Sequence, residues 1–445
     1  MKTNRRNFIK NTSAAAISLP FITSAGNLFA NPFNETINVA VIGTGGRSKA
    51  FLKSAANMPE MRIVYACDVD QLRLDTFIAT AKEWLGYKVK KEKDFRKILE
   101  KESVDAVIIV TPEHWHAPMA IMAMQAGKHV YIEKPCSHNL YENDLLVQVY
   151  RKTGMVCQMG NQQRSSISSR KAITDIENGS IGNAYAAKAW YSNTRGSIGE
   201  GKKVAVPDTL DWNLWQGPAP REDYRDNVHP YNWHWFRTWG TGEIHNNGTH
   251  EIDICRWALG VNLPKRVTST GGRLHFKEDD WEYYDTQLAS YEFEEGKTIN
   301  WEGRSCNGHQ LYGRGRGAMI YGTEGTIMLT RKGYWLYDLK GNEINFIGEE
   351  SPMDAATATE DTIGFDILTV NHIKNFFAAI REGETLHAPI DDASISTHLC
   401  HLGNIAQDLE VSLNIDPKSG KILNNEKAMS YWKRDYENGW EPKAT

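Results

Sequence analysis

The sequence predicts an α/β domain built on a doubly wound parallel sheet, followed by an α+β domain with a large, mostly antiparallel sheet. A glycine-rich loop at residues 43–47 follows a short apolar run, and strand-like and helix-like segments then alternate up to residue 159. Beyond residue 184, several neighbouring segments show the period-two alternation of half-buried strands. We therefore expect a first domain at residues 36–159 and a second at residues 160–445.

The first strand, helix and second strand have the order of a dinucleotide-binding Rossmann domain. Glycines at 43 and 45 let the backbone approach a pyrophosphate, whose charge the N-terminus of the next helix would stabilise. Ser48 stands where the fingerprint has its third glycine. The second strand ends in Asp68, whose carboxylate can accept both ribose hydroxyls of NAD and repel a 2′-phosphate. A plain βαβ turn is the alternative, and Arg47 keeps NADP open.

Two later loops should face the same crevice, because ligands of doubly wound sheets bind beyond the carboxyl ends of the strands. One follows the apolar run at residues 104–110 and contains Trp115 and His116. The other follows residues 129–132 and contains Lys134. Near a cationic nicotinamide and partly desolvated, Lys134 should have a lowered pKa and relay protons during alcohol oxidation. The alternatives are a lysine that only pairs with the preceding glutamate, and loop aromatics that only pack on the sheet.

These motifs resemble the glucose–fructose oxidoreductase/inositol dehydrogenase/rhizopine-catabolism (Gfo/Idh/MocA) family. The likeness continues through residues 178–182, 321–325 and 375–383, so it covers nearly the whole chain after residue 36. It implies an oxidoreductase with a nicotinamide cofactor and leaves the substrate open. The cofactor contacts expected from the motifs and the resemblance are Gly43, Gly45, Gly46, Arg47, Asp68, Thr111, Pro112, Trp115, His116, Glu133, Lys134 and Asn161.

The resemblance also suggests the catalytic and substrate groups. Much of the family carries an aspartate, three residues and then a histidine on one helix face. His250 matches the histidine, but Asn246 stands where the aspartate is expected, so the carboxylate that would raise the histidine's pKa is missing. We expect Lys134, His250 and Asn246 at the catalytic centre, with Glu243, Lys134 or His245 compensating. A histidine that only caps the helix is the alternative. The expected substrate contacts are Arg164, Tyr191, Trp233, His234, Arg237, His245 and His250.

The second domain should contain an antiparallel sheet and two late helices. An aromatic-rich segment at residues 211–239 has the composition of a carbohydrate-binding wall, with a subunit interface as the alternative. The six scattered cysteines and the histidine spacing suggest no metal site. The expected strands are residues 184–191, 265–274, 285–293, 298–302, 316–321 and 326–329, and the helices are residues 366–381 and 393–410.

Two enzyme functions are compatible with these patterns. The first is a nicotinamide-dependent oxidoreductase that oxidises a ring hydroxyl of a sugar or glycoside, with C3 as the suggested position. The second is a redox-type glycosidase that uses NAD transiently for oxidation, elimination, hydration and reduction. A sugar-binding protein without catalysis would require Lys134 and His250 to be idle.

The N-terminus resembles a twin-arginine export signal over residues 1–30. Asn-Arg-Arg-Asn-Phe-Ile-Lys at residues 4–10 precedes an apolar stretch that is too short to span a membrane. A basic N-terminal helix of a cytoplasmic enzyme is the alternative. We expect a periplasmic or otherwise exported protein whose cofactor is tightly bound, because NADH-recycling enzymes are absent outside the cytoplasm. A net charge of −4 argues against a nucleic-acid partner, and we expect a homo-oligomer, either a dimer or a tetramer.

Overall fold

The computed structural model describes residues 36–349 and 367–444, so the predicted export signal lies outside the described residues. The first part of the chain forms strands that alternate with helices. The strands are β1 (Ile37–Ile42), β2 (Met61–Cys67), β3 (Lys90–Glu92), β4 (Ala106–Ile109), β5 (His129–Ile132) and β6 (Cys157–Met159). The helices are α1 (Ser48–Asn57), α2 (Gln71–Leu85), α3 (Phe95–Leu99), α4 (His116–Gln125) and α5 (Leu140–Thr153).

These six strands form one parallel sheet in the order β3-β2-β1-β4-β5-β6. All four residues of β4 are buried, as expected for a strand with both faces covered. The chain crosses from one side of the sheet to the other between β1 and β4, and ligands of such sheets bind at that switch point. The predicted doubly wound parallel sheet is confirmed.

The second part of the chain forms a nine-stranded sheet in the order β14-β13-β12-β11-β7-β10-β9-β8-β15. Only the β7–β10 pair is parallel among its described pairs, which confirms a mostly antiparallel sheet. The strands are β7 (Ala184–Ser192), β8 (Arg266–Gly272), β9 (Thr286–Glu292), β10 (Thr298–Arg304), β11 (Arg316–Gly322), β12 (Thr326–Thr330), β13 (Gly333–Tyr337), β14 (Glu343–Gly348) and β15 (Leu413–Asn414).

Six helices accompany this sheet: α6 (Ile167–Glu177), α7 (Trp212–Gln216), α8 (Thr249–Leu259), α9 (Ile367–Glu382), α10 (Ile390–Leu409) and α11 (Glu426–Met429). Helix α8 packs on β7 and β11, and α10 contacts β6 of the first sheet as well as β8 of the second. The first sheet also receives α9, whose Phe376 joins Phe51 of α1 in one apolar cluster. None of the helices in the described ranges is long and apolar enough to cross a membrane.

Candidate active site

A cavity of about 500 Å³ opens at the carboxyl ends of β1, β4 and β5. All of the predicted cofactor contacts line it except Asn161, whose buried side-chain amide has no hydrogen-bond partner among the described residues. Asn246, His250, Trp233 and His234 line the same cavity. The structure therefore gathers residues from both sheets around one space.

The glycine loop is shaped for close approach of the backbone. Gly43 has a φ of +91°, and a Cβ at this position would lie 2.6 Å from the carbonyl oxygen of Val110. Among the described residues, no hydrogen bond uses the backbone N–H of Gly45 or Gly46, and both residues line the cavity just before α1. Unbound N–H groups at a helix N-terminus favour an anion. The loop thus fits the pyrophosphate of a dinucleotide.

Asp68 is held at the edge of this loop. Its Oδ2 accepts hydrogen bonds from the N–H and the hydroxyl of Thr44 at 2.7 and 2.8 Å, and its Oδ1 accepts one from the N–H of Asp70 at 2.9 Å. The bonds to Thr44, which we did not predict, connect the second strand to the glycine loop. The carboxylate consequently has a fixed position on the cavity wall.

Arg47 points toward the end of β5 and binds the residue before Lys134. Its Nε donates to Oε1 of Glu133 at 2.9 Å, and its Nη2 donates to the hydroxyl of Thr369 at 3.0 Å. The structure records no salt bridge from Lys134 to Glu133 among the described residues, so the pairing that the structural alternative assumes is not observed.

Lys134 is bound instead by the residue that replaces the expected aspartate. Its Nζ donates to the backbone carbonyl of Asn246 at 2.6 Å and to the side-chain oxygen of Asn246 at 3.2 Å. Burial lowers the pKa of Lys134 and the charge of Arg47 lowers it further, while nearby carboxylates only partly oppose this. The amine is thereby prepared to lose a proton more easily than a surface lysine.

His250 lies one helical turn after Asn246 and faces the same cavity. Asn246 lies within a π-helical turn formed by Ile244–Gly248, a widened geometry that is frequent at functional sites. Burial holds the pKa of His250 well below its usual range, and the charges of Arg331, Lys134 and Arg316 add to that effect. The imidazole is therefore neutral, as the missing aspartate at position 246 predicts.

Several predicted substrate contacts do not line the cavity. The two arginines are held by carboxylates: Arg164 forms a bidentate ion pair with Asp253, and Arg237 pairs with Asp408. His245 is fully buried, with Nδ1 3.1 Å from the carbonyl of Thr241. The Tyr191 hydroxyl accepts a hydrogen bond from Asn193, and its ring packs behind Arg195 and Arg316. Arg164, Tyr191, Arg237 and His245 therefore do not line this cavity, and their direct contact with substrate stays a prediction.

The sequence interpretation missed several charged residues at the cavity, and four of them bear on the chemistry. Arg195 and Arg316 line it, each in an ion pair with a buried glutamate, Glu243 for Arg195 and Glu251 for Arg316. Arg331 also lines it, as does Glu113, which is 2% exposed. The available signal for Glu113 was its position directly after Thr111 and Pro112, in a loop already predicted to face the crevice.

The aromatic segment is mostly a small core. Trp212 and Trp215 stack with ring centroids 4.6 Å apart, and Trp239 packs edge-on against both. Trp233 and His234, stacked at 3.6 Å, line the cavity. Most of these rings bury one another because of their large apolar area, so only the rings that reach the cavity are placed to act as the predicted carbohydrate-binding wall.

Residues 209–239, which we call the covering segment, bind the loop after β2. The N–H of Gln71 donates to the carbonyl of Thr209 at 2.8 Å, and the N–H of Asp211 donates to the carbonyl of Val69 at 3.0 Å. His229 Nε2 lies 3.0 Å from Oδ2 of Asp70.

The covering segment also binds the loop after β4. Nε2 of His114 lies 2.8 Å from the carbonyl of Trp215, and the indole N–H of Trp115 donates to the same carbonyl at 3.0 Å. The Trp115 ring is 4% exposed and also packs edge-on against Phe95 and Trp440. Trp115 therefore packs against other rings, as the alternative interpretation of the loop aromatics expected, and it also lines the cavity. The segment crosses the cavity between two loops expected to contact the cofactor.

Metal-binding geometry is absent from the described ranges, where no group of three or more histidine, cysteine, aspartate or glutamate side chains could hold an ion. The six cysteines are free thiols, and five of them are buried.

Comparison with known families agrees with this cavity. A model described as oxidoreductase family, NAD-binding Rossmann fold, matches residues 37–161. A model of the GFO/IDH/MocA C-terminal domain matches residues 170–328, so that the two matches cover more than half of the chain. The chain belongs to the Gfo/Idh/MocA family. The predicted family is confirmed, and the first sheet of this Gfo/Idh/MocA oxidoreductase forms its NAD-binding domain.

Curated relatives of this Gfo/Idh/MocA chain carry names of two kinds. A glycosyl hydrolase family 109 protein of Shewanella pealeana is 28% identical over 215 residues, which are 43% of this chain and 46% of the relative. The scyllo-inositol 2-dehydrogenase (NAD(+)) of Bacillus subtilis is 28% identical over 237 residues, which are 52% of this chain and 57% of the relative. The chain thus spans about half the length of the curated relatives it matches.

A solved structure extends the comparison over the whole fold. Levoglucosan dehydrogenase, in complex with NADH and levoglucosan, superposes with a TM-score of 0.65 at 20% identity. The alignment covers 85% of this chain and 99% of that one. The two proteins therefore share an overall fold.

Proposed function

We propose that this protein is an NAD-dependent oxidoreductase that oxidises a ring hydroxyl of a sugar or glycoside, at C3, with its cofactor tightly held. One observation carries the proposal: the desolvated amine of Lys134 and the neutral imidazole of His250 face one cavity that begins at the glycine loop. Such groups suit removal of a hydroxyl proton beside a nicotinamide.

The bound nicotinamide would supply the acceptor for the hydride that leaves the carbinol carbon. The chain's own residues manage the proton. Lys134 takes it from the hydroxyl group, because the lowered pKa of its amine favours the neutral, accepting form. His250 donates a hydrogen bond to the substrate oxygen. The Arg47–Glu133 pair fixes the loop that carries Lys134.

One feature supports tight retention of the nucleotide, and a second supports NAD rather than NADP. The covering segment crosses the cavity and binds the loops after β2 and β4, so a nucleotide beneath it is enclosed on that side. The fixed carboxylate of Asp68 opposes a 2′-phosphate, and Arg47, which kept NADP open, is paired with Glu133. Together with the twin-arginine pattern at residues 1–30, these features favour an exported enzyme that carries its cofactor with it. We also propose a homo-oligomer.

The cofactor proposal is tested on the purified protein. After gel filtration in nucleotide-free buffer, the protein is denatured and the released nucleotide is identified by mass spectrometry. We expect NAD(H) in an amount close to one per chain. Recovery of NADP alone would contradict the role given to Asp68, and recovery of no nucleotide would contradict tight retention.

A redox-neutral glycosidase is the second candidate, and the glycosyl hydrolase family 109 relatives favour it. The two activities differ in their products. A net oxidoreductase given a glycoside and an electron acceptor accumulates a keto sugar while the acceptor is consumed in proportion. The glycosidase needs no acceptor, releases the aglycone and incorporates solvent deuterium at C2. We expect the keto sugar; steady aglycone release with deuterium at C2 would replace our proposal with the glycosidase.

A further inference from the structure

Two buried glutamates lie at the cavity wall or directly behind it, and their surroundings differ. Glu243 accepts hydrogen bonds from Arg195 at 2.7 Å, from Asn247 at 2.5 Å and from Ser305 at 3.0 Å. Burial acts to raise the pKa of Glu243, but the charge of Arg195 and these hydrogen bonds outweigh burial and hold the pKa below its usual range. Glu243 is therefore an ionised partner of Arg195.

Glu113 forms no such ion pair among the described residues. Its carboxylate accepts a hydrogen bond from the hydroxyl of Thr241, and no salt bridge within the described chain includes it. Burial raises the pKa of Glu113 to about 7, although the hydrogen bond from Thr241 and the charge of Lys134 oppose the rise. Two acids with opposite pKa shifts at one site have separate tasks. Glu113 is the one that can change its protonation near neutral pH.

The backbone around Glu113 is fixed by long-range contacts. The residues Glu113–Trp115 form a single helical turn directly after Pro112. The N–H of His114 donates to the carbonyl of Trp239 at 3.2 Å, and the His114 ring lies 2.8 Å from the carbonyl of Trp215. The covering segment thereby holds the glutamate at the cavity that Lys134 also lines.

We infer that Glu113 is the positioning residue that exchanges a proton with Lys134, and so supplies the carboxylate that Asn246 does not provide. The inference rests on the proposed oxidation. The substrate O–H and C–H bonds break as the C=O bond forms, the neutral Lys134 amine takes the proton, and a bound oxidised nicotinamide nucleotide would supply the acceptor for the hydride. Lys134 then returns to the neutral amine by giving its added proton to the Glu113 carboxylate through a water molecule, because no hydrogen bond or salt bridge joins the two described side chains directly.

Lys134 and Glu113 influence each other reciprocally, since the charge of each stabilises the ionised form of the other. The other groups that face Glu113 are Thr241 and Glu243, from the loop before the π-helical turn, and Tyr283, from the loop between β8 and β9. Burial raises the pKa of Tyr283, so its phenol remains neutral. Glu243 stays ionised, which leaves the pair of Glu113 and Lys134 to titrate.

Infrared difference spectroscopy of the full-length holoprotein tests this inference without any substrate. As pH rises, the carbonyl-stretch band of a protonated carboxyl should disappear with a midpoint near 7. The band should be absent in Glu113→Gln. Its midpoint should move upward in Lys134→Met, because a cation is removed, and downward in Glu243→Gln, because an anion is removed. If Glu113→Gln leaves the band, or Lys134→Met leaves its midpoint in place, the inference is wrong.

Kinetics provide the second measurement, with whichever sugar gives a keto product. Oxidation by the native enzyme should become faster as pH rises through about 7, since Glu113 must be ionised to accept a proton. Glu113→Gln should lower turnover on the order of 10²-fold and remove this pH dependence, whereas Glu113→Asp should retain it. A native pH profile in Glu113→Gln would overturn the inference. Because the infrared titration needs no turnover, failure to find a keto sugar would reject the proposed reaction alone.

Discussion

Asn246 replaces the aspartate that much of this family has, and its amide oxygen contacts the amine of Lys134 rather than the imidazole of His250. Both Asn246 oxygens accept from Lys134 Nζ, at 2.6 and 3.2 Å. A neutral acceptor supports the amine without favouring its protonated form as strongly as a carboxylate would. The substitution therefore tunes the lysine, a consequence that the spacing of residues 246 and 250 alone did not reveal.

Asn246→Asp should accordingly raise the pKa of Lys134. The amine would stay protonated to higher pH, so the limb of the pH–rate profile that reports Lys134, as distinct from the rise near 7 assigned to Glu113, should move to higher pH. The measurement is kcat/KM against pH for the native enzyme and the variant. Asn247→Asp, which places a carboxylate on the neighbouring residue, serves as the comparison. An unmoved profile in Asn246→Asp would show that the contact between Asn246 and Lys134 does not control the proton step.

Loss of either proton-handling group should reduce turnover strongly. We expect Lys134→Ala and His250→Ala each to lower turnover on the order of 10²–10⁴-fold, the range for a positioned acid or base. Bound NAD(H), measured after denaturation, should be unchanged. Lys171→Ala removes an exposed lysine that pairs with Asp175 on α6, so it should retain native turnover. If the Lys134→Ala or His250→Ala variant keeps near-native turnover, the native residue at that position has only a structural role.

At the scale of elements, local patterns predicted the strands and helices well. The glycine loop, α1 and β2 were predictable because glycines, which tolerate a positive φ, and apolar runs are local signals. Strands β13 and β14 were not predicted: β13 is apolar throughout and shows no alternation, and the polar–apolar alternation of β14 extends over only about four residues. The covering segment was misread for a different reason: aromatic residues have the same composition whether they bind a sugar or bury one another, and only the tertiary structure distinguishes the two.

The covering segment should control the exchange of the nucleotide. His229→Ala removes the contact between this segment and Asp70 of the loop after β2. A hydrogen bond to a charged group contributes about 1.5–3 kcal/mol, which corresponds to about 10–100-fold faster release of NAD(H). Release is followed by chasing bound, labelled nucleotide with an excess of unlabelled NAD. The control is His275→Ala, an exposed histidine outside the covering segment. Equal release rates in the two variants would argue against a retaining role.

At the scale of the whole molecule, neutral histidines are buried in the fold. Burial lowers the pKa of His245 to about 3 and that of His372 to about 3. Each pKa lies below the unfolded value of about 6.5. The contribution of each neutral, buried histidine to the free energy of unfolding is therefore fully present above pH 6.5. It is lost as pH falls toward 3, because the unfolded chain then binds a proton that the folded chain does not. At pH 5 the loss is about 2 kcal/mol for each histidine.

We therefore expect a lower thermal midpoint at pH 5.0 than at pH 7.5. Differential scanning calorimetry at both pH values measures the difference, and a return to pH 7.5 checks that the change is reversible. In His245→Asn the difference between the two midpoints should become smaller, because one titrating group has been removed. Equal midpoints for the native protein at the two pH values would contradict this assignment of neutral histidines.

Long-range pairing explains why some site residues could not be predicted. Arg164 and Arg237 have the residue type of a sugar ligand, yet Asp253 and Asp408, which lie far along the chain, occupy their guanidinium groups. Arg195 and Arg316 reach the cavity because strand β7 lies beside β11 in the second sheet. The family resemblance supplied the fold and the cofactor loops, while the choice among charged side chains depends on contacts that no local pattern contains.

The covering segment also makes nucleotide occupancy and local stability reciprocal quantities. It is attached to the loops proposed to hold the dinucleotide. If nucleotide binding stabilises these attachments, the attachments must stabilise the bound nucleotide by the same free energy. An apoprotein should then show faster amide hydrogen exchange in residues 209–239 than the holoprotein does. The nucleotide acts in this sense as a part of the folded structure, and its loss would begin the unfolding of the region that retained it.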